Sequence, residues 1–215
     1  MEKKIKVAQM GLGPIGNKAT QYLLERENVE IVSAIDADPA KVGQDVGVLA
    51  GRDPIGVKVT ADIETALRGK EVDVVLLTTT SILEKIAEQL KLLLPYGVNV
   101  VSSCEELSFP WQTNPGLAQQ IDELARKNGV SVLSTGVNPG FLMDFFSFFL
   151  TGVCRTVRQV TVERIQDATF RRIPFQKKIG AGLTQAEFQV KVEQGVLRHV
   201  GLTESVHMIA SRLGW

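Results

Sequence analysis

From Ile5 to Leu133 the sequence alternates short apolar runs with stretches of helical periodicity. The most constraining run is Val72-Asp-Val-Val-Leu-Leu77, apolar almost throughout, as a parallel strand covered on both faces must be. Ile5–Met10, Val29–Ile35, Val57–Thr60, Val98–Ser102 and Val130–Leu133 read as its companions. Helices are predicted between them at Gly16–Arg26, Asp62–Arg68, Ser81–Leu94 and Pro115–Lys127. The third places Ile82, Ile86, Leu90 and Leu94 on one stripe, and Pro95 and Gly97 end it. Strands alternating with helices of this length need crossover connections, which are right-handed, so the pattern predicts an α/β fold with a doubly wound parallel sheet.

Gly11-Leu-Gly-Pro-Ile-Gly16 falls between the first strand and the first helix, where a Rossmann-type dinucleotide fold carries its G-x-G-x-x-G loop. Gly11 permits the tight turn, Gly13 lets the backbone approach a pyrophosphate, and Gly16 allows close helix–strand packing. Leu12, Pro14 and Ile15 complete the loop, and the helix N-terminus behind it offers free N–H groups. Asp36 ends the second strand, where a carboxylate accepts hydrogen bonds from adenosine ribose hydroxyls. No Arg or Lys precedes Lys41 after it, and Asp38 adds a second negative charge, so NAD is favoured, with NADP possible. Thr78 and Thr79, after the fourth strand, are small hydroxyl residues of the kind that line a cofactor; Ser81 reads equally well as an N-cap.

Composition narrows the partners. Lys+Arg and Asp+Glu are both 24, so no charge surplus points to nucleic acid. The apolar stretch from Phe141 to Cys154 is interrupted by Asp144 and too short to span a bilayer. Met1 leads directly into a strand-like segment without a secretory h-region, and Cys104 and Cys154 have no metal-type spacing. These features predict a cytoplasmic protein with no metal site, no membrane partner and no nucleic-acid partner.

The pattern changes at Thr135-Gly-Val-Asn-Pro-Gly-Phe141. An apolar helix is predicted over Met143–Leu150, then an alternating strand over Arg158–Ile165, with two further helices near Leu183 and Thr203. A boundary near residue 140 makes 1–140 a dinucleotide-binding domain and 141–215 a partial α+β domain for substrate or oligomerisation. A single strand cannot pair with itself, so its partners are expected from another copy of the chain, as a homodimer or higher homo-oligomer, or from residues beyond this stretch.

Three stretches, Ser103-Cys-Glu-Glu-Leu-Ser-Phe-Pro110, Gly136-Val-Asn-Pro-Gly-Phe141, and Val162-Glu-Arg-Ile-Gln-Asp167 leading to Arg171-Arg-Ile-Pro-Phe-Gln-Lys-Lys178, carry a resemblance. With the glycine loop they resemble the NAD(P)-dependent amine dehydrogenase family over essentially the whole chain. The nucleotide-binding half is also similar to dihydrodipicolinate reductase. The resemblance implies oxidation of a small primary amine or diamino acid, such as 2,4-diaminopentanoate, to a ketone and ammonia. By motif match it implies Glu105 as the catalytic carboxylate, with Ser103 and Asn138 against the cofactor and Phe141, Arg164 and His199 toward substrate. From position alone, Glu105 and Glu106 are equally loop acids, Arg164 a surface salt-bridge partner and His199 a polar loop residue. On an extended segment Glu106 points away from Glu105. Cys104 has no nearby His, and neighbouring acids raise its pKa, which makes it a packing residue.

Dihydrodipicolinate reductase itself would carry a paired-His segment, whereas the only histidines are His199 and His207, the latter on an amphipathic helical stretch. Family members continue beyond this length, so the chain is expected to be a fragment or early-terminated form that binds NAD but turns over slowly. The rival from another class is a non-catalytic NAD-sensing module, which has no need of an acid at Glu105.

Overall fold

The computed structural model describes residues 3–170, 173–197 and 199–215. Arg171 and Arg172 of the second-domain motif lie outside the described residues. Six strands form one sheet: β1 (Ile5–Met10), β2 (Val29–Ile35), β3 (Val59–Thr60), β4 (Val74–Leu77), β5 (Asn99–Ser102) and β6 (Val132–Ser134). Their order is β3-β2-β1-β4-β5-β6, and every neighbouring pair is parallel. The order reverses between β1 and β4, which opens a crevice at the carboxyl ends of those strands, the place where doubly wound sheets bind ligands.

Helices α1 (Pro14–Leu24), α2 (Val46–Leu49), α3 (Ile63–Leu67), α4 (Leu83–Leu93), α5 (Pro110–Thr113) and α6 (Pro115–Asn128) belong to the sheet half. The larger apolar cluster joins α3, α4 and α6 to β1, β4 and β5, and a smaller one gathers Leu12, Ile31, Ala34, Val46 and Val59. Helix α4 contributes most, with Leu83, Ile86, Ala87, Leu90 and Leu93 all buried. Each such leucine stabilises the fold by about 1.5–3 kcal/mol relative to an exposed one. Ile82 departs from the expected stripe: it is 40% exposed. Its backbone is extended at the N-cap, so helical spacing begins only at Leu83. Ser81 is likewise not the cap of α4.

Beyond β6 the chain forms α7 (Phe145–Leu150), α8 (Ile173–Lys178), α9 (Gln185–Glu193) and α10 (Leu202–Leu213). Thr184 and Glu187 close a reciprocal capping box on α9. Asp144 is fully buried and accepts from the backbone N–H of Gly140 (2.8 Å) and Phe145 (2.6 Å) and from Ser205 Oγ (2.7 Å). It thereby ties the Asn-Pro-Gly loop, α7 and α10 together.

The predicted strand Arg158–Ile165 does not form: residues 156–168 have no regular structure. Alternation supplies a strand's two faces, but a strand needs a neighbour for its N–H and C=O groups, and among the described residues none pairs with this segment. Ile165 is 92% exposed in consequence. The fold is an α/β Rossmann-like parallel sheet followed by a smaller C-terminal α+β part, whose strand-like segment is unpaired here.

Candidate functional site

The glycine loop leaves β1 and enters α1, and its three glycines meet three different demands. Gly11 has φ +89°, and a Cβ there would lie 2.9 Å from the Thr78 carbonyl. At Gly16 a Cβ would fall 1.8 Å from the Gly11 carbonyl oxygen, so only hydrogen fits where α1 crosses the loop. At Gly13 a Cβ would meet nothing within 4 Å, leaving that side of the loop open to a ligand. No side chain caps α1, and Pro14, at its start, has no N–H to satisfy. Thr78 holds this loop from below. Its hydroxyl donates to Gly11 O (2.8 Å) and accepts from Gln9 Nε2 (2.9 Å), which makes it a support of the loop before anything else. Thr79 is exposed and donates to Gln89 Oε1 at 2.6 Å.

Asp36 ends β2 directly over the loop. Oδ2 accepts from the Leu12 amide (2.6 Å) and Oδ1 from the Asp38 amide (2.9 Å). The base-free surroundings expected from the sequence are not what the structure shows. A turn at 38–42 folds back and brings Lys41 Nζ to 3.1 Å from Asp36 Oδ2 and 3.5 Å from Asp38 Oδ2. Burial pushes the Asp36 pKa up, but the Asp38 and Leu12 amides and the Lys41 ammonium outweigh it and hold the carboxyl below its usual value. Lys41 is raised: burial lowers it, and the two aspartates more than compensate.

At the carboxyl end of β5, Ser103 leads into a 3₁₀ turn at Glu105–Leu107, not the extended segment expected. The turn separates the two acids. Glu106 Oε2 accepts from the Leu83 amide at 2.8 Å, so this carboxylate caps α4 from across the fold. The Glu105 carboxylate is partly buried and has no hydrogen-bond partner among the described residues. Against it packs Gly201, with φ +85°, where a Cβ would lie 2.9 Å from Glu105 Cβ and 2.6 Å from Pro139 Cγ. The start of α10 is thus pressed onto both Glu105 and the Asn-Pro-Gly loop. In that loop Asn138 Oδ1 is buried without a partner, as is Asn17 Oδ1 on α1, two acceptors that a bound polar ligand could satisfy. Cys104 is buried, which together with the charges of Glu105 and Glu106 pushes its pKa up to about 12. The packing role expected for it agrees with this.

The remaining expected substrate residues are less gathered. Phe141 is 48% exposed, with its ring 5.8 Å from that of Phe146. His199 is exposed and lines a crevice with Glu84, Glu106 and Glu204, on the Glu106 side of the turn. Arg164 is exposed in the irregular segment and forms no ion pair with a described residue. Sequence reasoning missed Gly201, Ser205 and Lys41, and used Asp144 only as an interruption in an apolar run. The one available signal was a glycine and a buried-looking serine flanking the start of a helix.

A family model of the dihydrodipicolinate reductase N-terminus matches residues 5–107, and one of the 2,4-diaminopentanoate dehydrogenase C-terminal domain matches residues 141–215. Together the two matches make the chain similar to the NAD(P)-dependent amine dehydrogenase family, with a nucleotide-binding half like the dihydrodipicolinate reductase N-terminus. The chain is similar to 2,4-diaminopentanoate dehydrogenase of Acetoanaerobium sticklandii, at 36% identity over 99% of this chain and 61% of that protein. The structure of amine dehydrogenase from Mycobacterium smegmatis superposes with a TM-score of 0.79 at 25% identity, over 99% of this chain and 63% of that one. GenD2 from gentamicin A biosynthesis, solved in complex with NAD, superposes with a TM-score of 0.50 at 26% identity, over 70% of this chain and 38% of that one. The chain spans about six tenths of the length of the first two relatives. Among the described residues no helix is long and apolar enough to cross a membrane.

Proposed function

We propose that this chain serves the NAD(P)-dependent oxidative deamination of a small primary amine or diamino acid, of the 2,4-diaminopentanoate type, to a ketone and ammonia. The observation that carries the reading is the unpartnered Glu105 carboxylate at the carboxyl edge of β5, on the same sheet edge as an open glycine loop. The loop residues Gly11–Gly16 would hold the pyrophosphate, Asp36 the adenosine ribose, and Ser103 and Asn138 the nicotinamide end. The open side of Gly13 and the orphaned oxygens of Asn17 and Asn138 fit such a ligand. The NAD held by GenD2 supports the same cofactor class here.

When bound, the nicotinamide supplies the hydride acceptor. Glu105 first holds the substrate ammonium, then takes one of its protons, which frees the nitrogen lone pair to form the C=N bond as hydride leaves carbon. Once that proton has passed to solvent, the carboxylate accepts another from the attacking water, whose oxygen becomes the ketone oxygen, and returns it to the nitrogen, which leaves as ammonia. Glu106 is engaged at the Leu83 amide and takes no part. Phe141, Arg164 and His199 are assigned to the substrate side, and Phe145, Phe149 and Leu150, more than half exposed on α7, support self-association of the chain.

The test mixes protein, NAD and a panel of small amines and diamino acids, following NADH absorbance and released ammonia. Equal amounts of both products from 2,4-diaminopentanoate or a near analogue are expected. NAD binding without reduction by any amine would leave the nucleotide site standing and defeat the deaminating activity.

A further inference from the structure

We propose that Lys41 sets the balance between NAD and NADP in this chain, placing an ammonium at the ribose position that Asp36 marks and so admitting a 2′-phosphate. The inference rests on the dinucleotide reading above and concerns one edge of that site.

An aspartate at the end of β2 excludes NADP when its charge stands alone against the phosphate. Here it does not stand alone. Lys41 Nζ is 3.1 Å from Asp36 Oδ2 and 3.5 Å from Asp38 Oδ2, with the Lys41 and Asp36 side chains only 24% and 12% exposed. Two carboxylates and one ammonium therefore share the ribose edge. An ammonium has three donors, and two are directed at the aspartates. A ribose 2′-oxygen bonded to Asp36 would lie within about 6 Å of Nζ, the sum of the observed contact and one further hydrogen bond. The flexible four-carbon stem covers that distance by rotation, exchanging a carboxylate partner for a phosphate one. With NAD bound, Lys41 stays on Asp36 and the carboxylate keeps its ribose contact. With NADP bound, Lys41 turns to the phosphate, and Asp36 remains held by the Leu12 and Asp38 amides.

The turn that carries Lys41 does not depend on its side chain. Lys41 N and Val42 N bond Asp38 O, Ala40 N bonds Asp38 Oδ1, and Gly43 N bonds Val59 O. Truncation should leave the loop in place.

The experiment is calorimetric titration of the wild type, K41A and K41R with NAD and with NADP, adding adenosine 2′-monophosphate as a competitor. The wild type is expected to bind both dinucleotides. K41A should weaken NADP about tenfold or more while changing NAD less than about threefold, the scale of one charge-assisted contact against one partly exposed ion pair. K41R should retain NADP. In the wild type, raising salt from about 50 to 300 mM should weaken NADP more than NAD, and K41A should erase that difference. Equal loss of both dinucleotides in K41A, or a wild type that binds NAD but not NADP, overturns the assignment of Lys41 and leaves the dinucleotide site intact. A wild type that binds neither overturns the dinucleotide reading, and this assignment with it.

Discussion

Replacing Glu106 with alanine leaves Glu84 in the first turn of α4 but removes the carboxylate that bonds the helix N-terminus, so the Leu83 amide loses its 2.8 Å partner. Ile82 at the N-cap has no side chain able to substitute. Losing a side-chain cap costs about 1 kcal/mol, and losing an anion from the positive end of the helix dipole adds about 0.5 kcal/mol. The sum, about 1.5 kcal/mol, should lower the melting temperature by about 3–6 °C for a chain of this size. Glu106→Gln keeps an acceptor oxygen and should lose about half as much. Glu105 has no hydrogen bond to lose, so Glu105→Gln should melt within the roughly 0.5 kcal/mol expected of a neutral surface change. Its effect belongs in turnover, where removal of a general base lowers kcat by about a hundredfold or more with NAD affinity little changed. The assay pairs thermal unfolding followed by circular dichroism with NADH production at saturating amine. If Glu106→Ala melts like the wild type, or if both glutamine variants slow turnover equally, the separation of a capping acid from a catalytic one is wrong.

Gly13→Ala should fold normally, having nothing within 4 Å of the new Cβ, yet weaken NAD at least about tenfold by filling the pyrophosphate approach. Gly16→Ala should also destabilise the domain, by about 1–3 kcal/mol, because the clash is with backbone; calorimetry and melting together separate the two, and unaltered NAD binding in Gly13→Ala would contradict the loop assignment. Iodoacetamide at pH 8 should modify the exposed Cys154 and spare Cys104, buried and pushed up to about 12, so two adducts on the folded chain by mass spectrometry would refute the environment described. Asp45 accepts from the amides of Gly47, Val48, Ile55 and Gly56, which outweigh its desolvation and lower its pKa. Because the folded value lies below the unfolded one, its contribution is present above about pH 4 and is lost as pH falls through the folded value. Asp45→Asn should therefore lose stability at neutral pH and show a shallower acid transition; an unchanged acid profile would contradict it.

Much of the sheet half was legible from order alone. All six strands were placed within two residues of where they form; for interior ones such as β1, β4 and β5, the reason is that a parallel strand covered on both faces writes itself as a local apolar run. The glycine loop was equally legible, since its demands on φ and on space exclude other residues. The second part was not. Its Arg158–Ile165 alternation has the right period, but pairing is a property of two segments, and no described residue pairs with this one.

The same division runs through the site. The sequence by itself determined a carboxylate at Asp36 and another at Glu105, each at the end of a strand, where chain direction alone delivers it to the ligand edge. Only the tertiary structure decided what surrounds them. It turned Glu106 onto a helix N-terminus 23 positions earlier, folded Lys41 back onto Asp36, and pressed Gly201 against Glu105. Backbone position follows from local periodicity, whereas the partner of a charged side chain depends on through-space distances of a few ångströms between residues far apart in the chain.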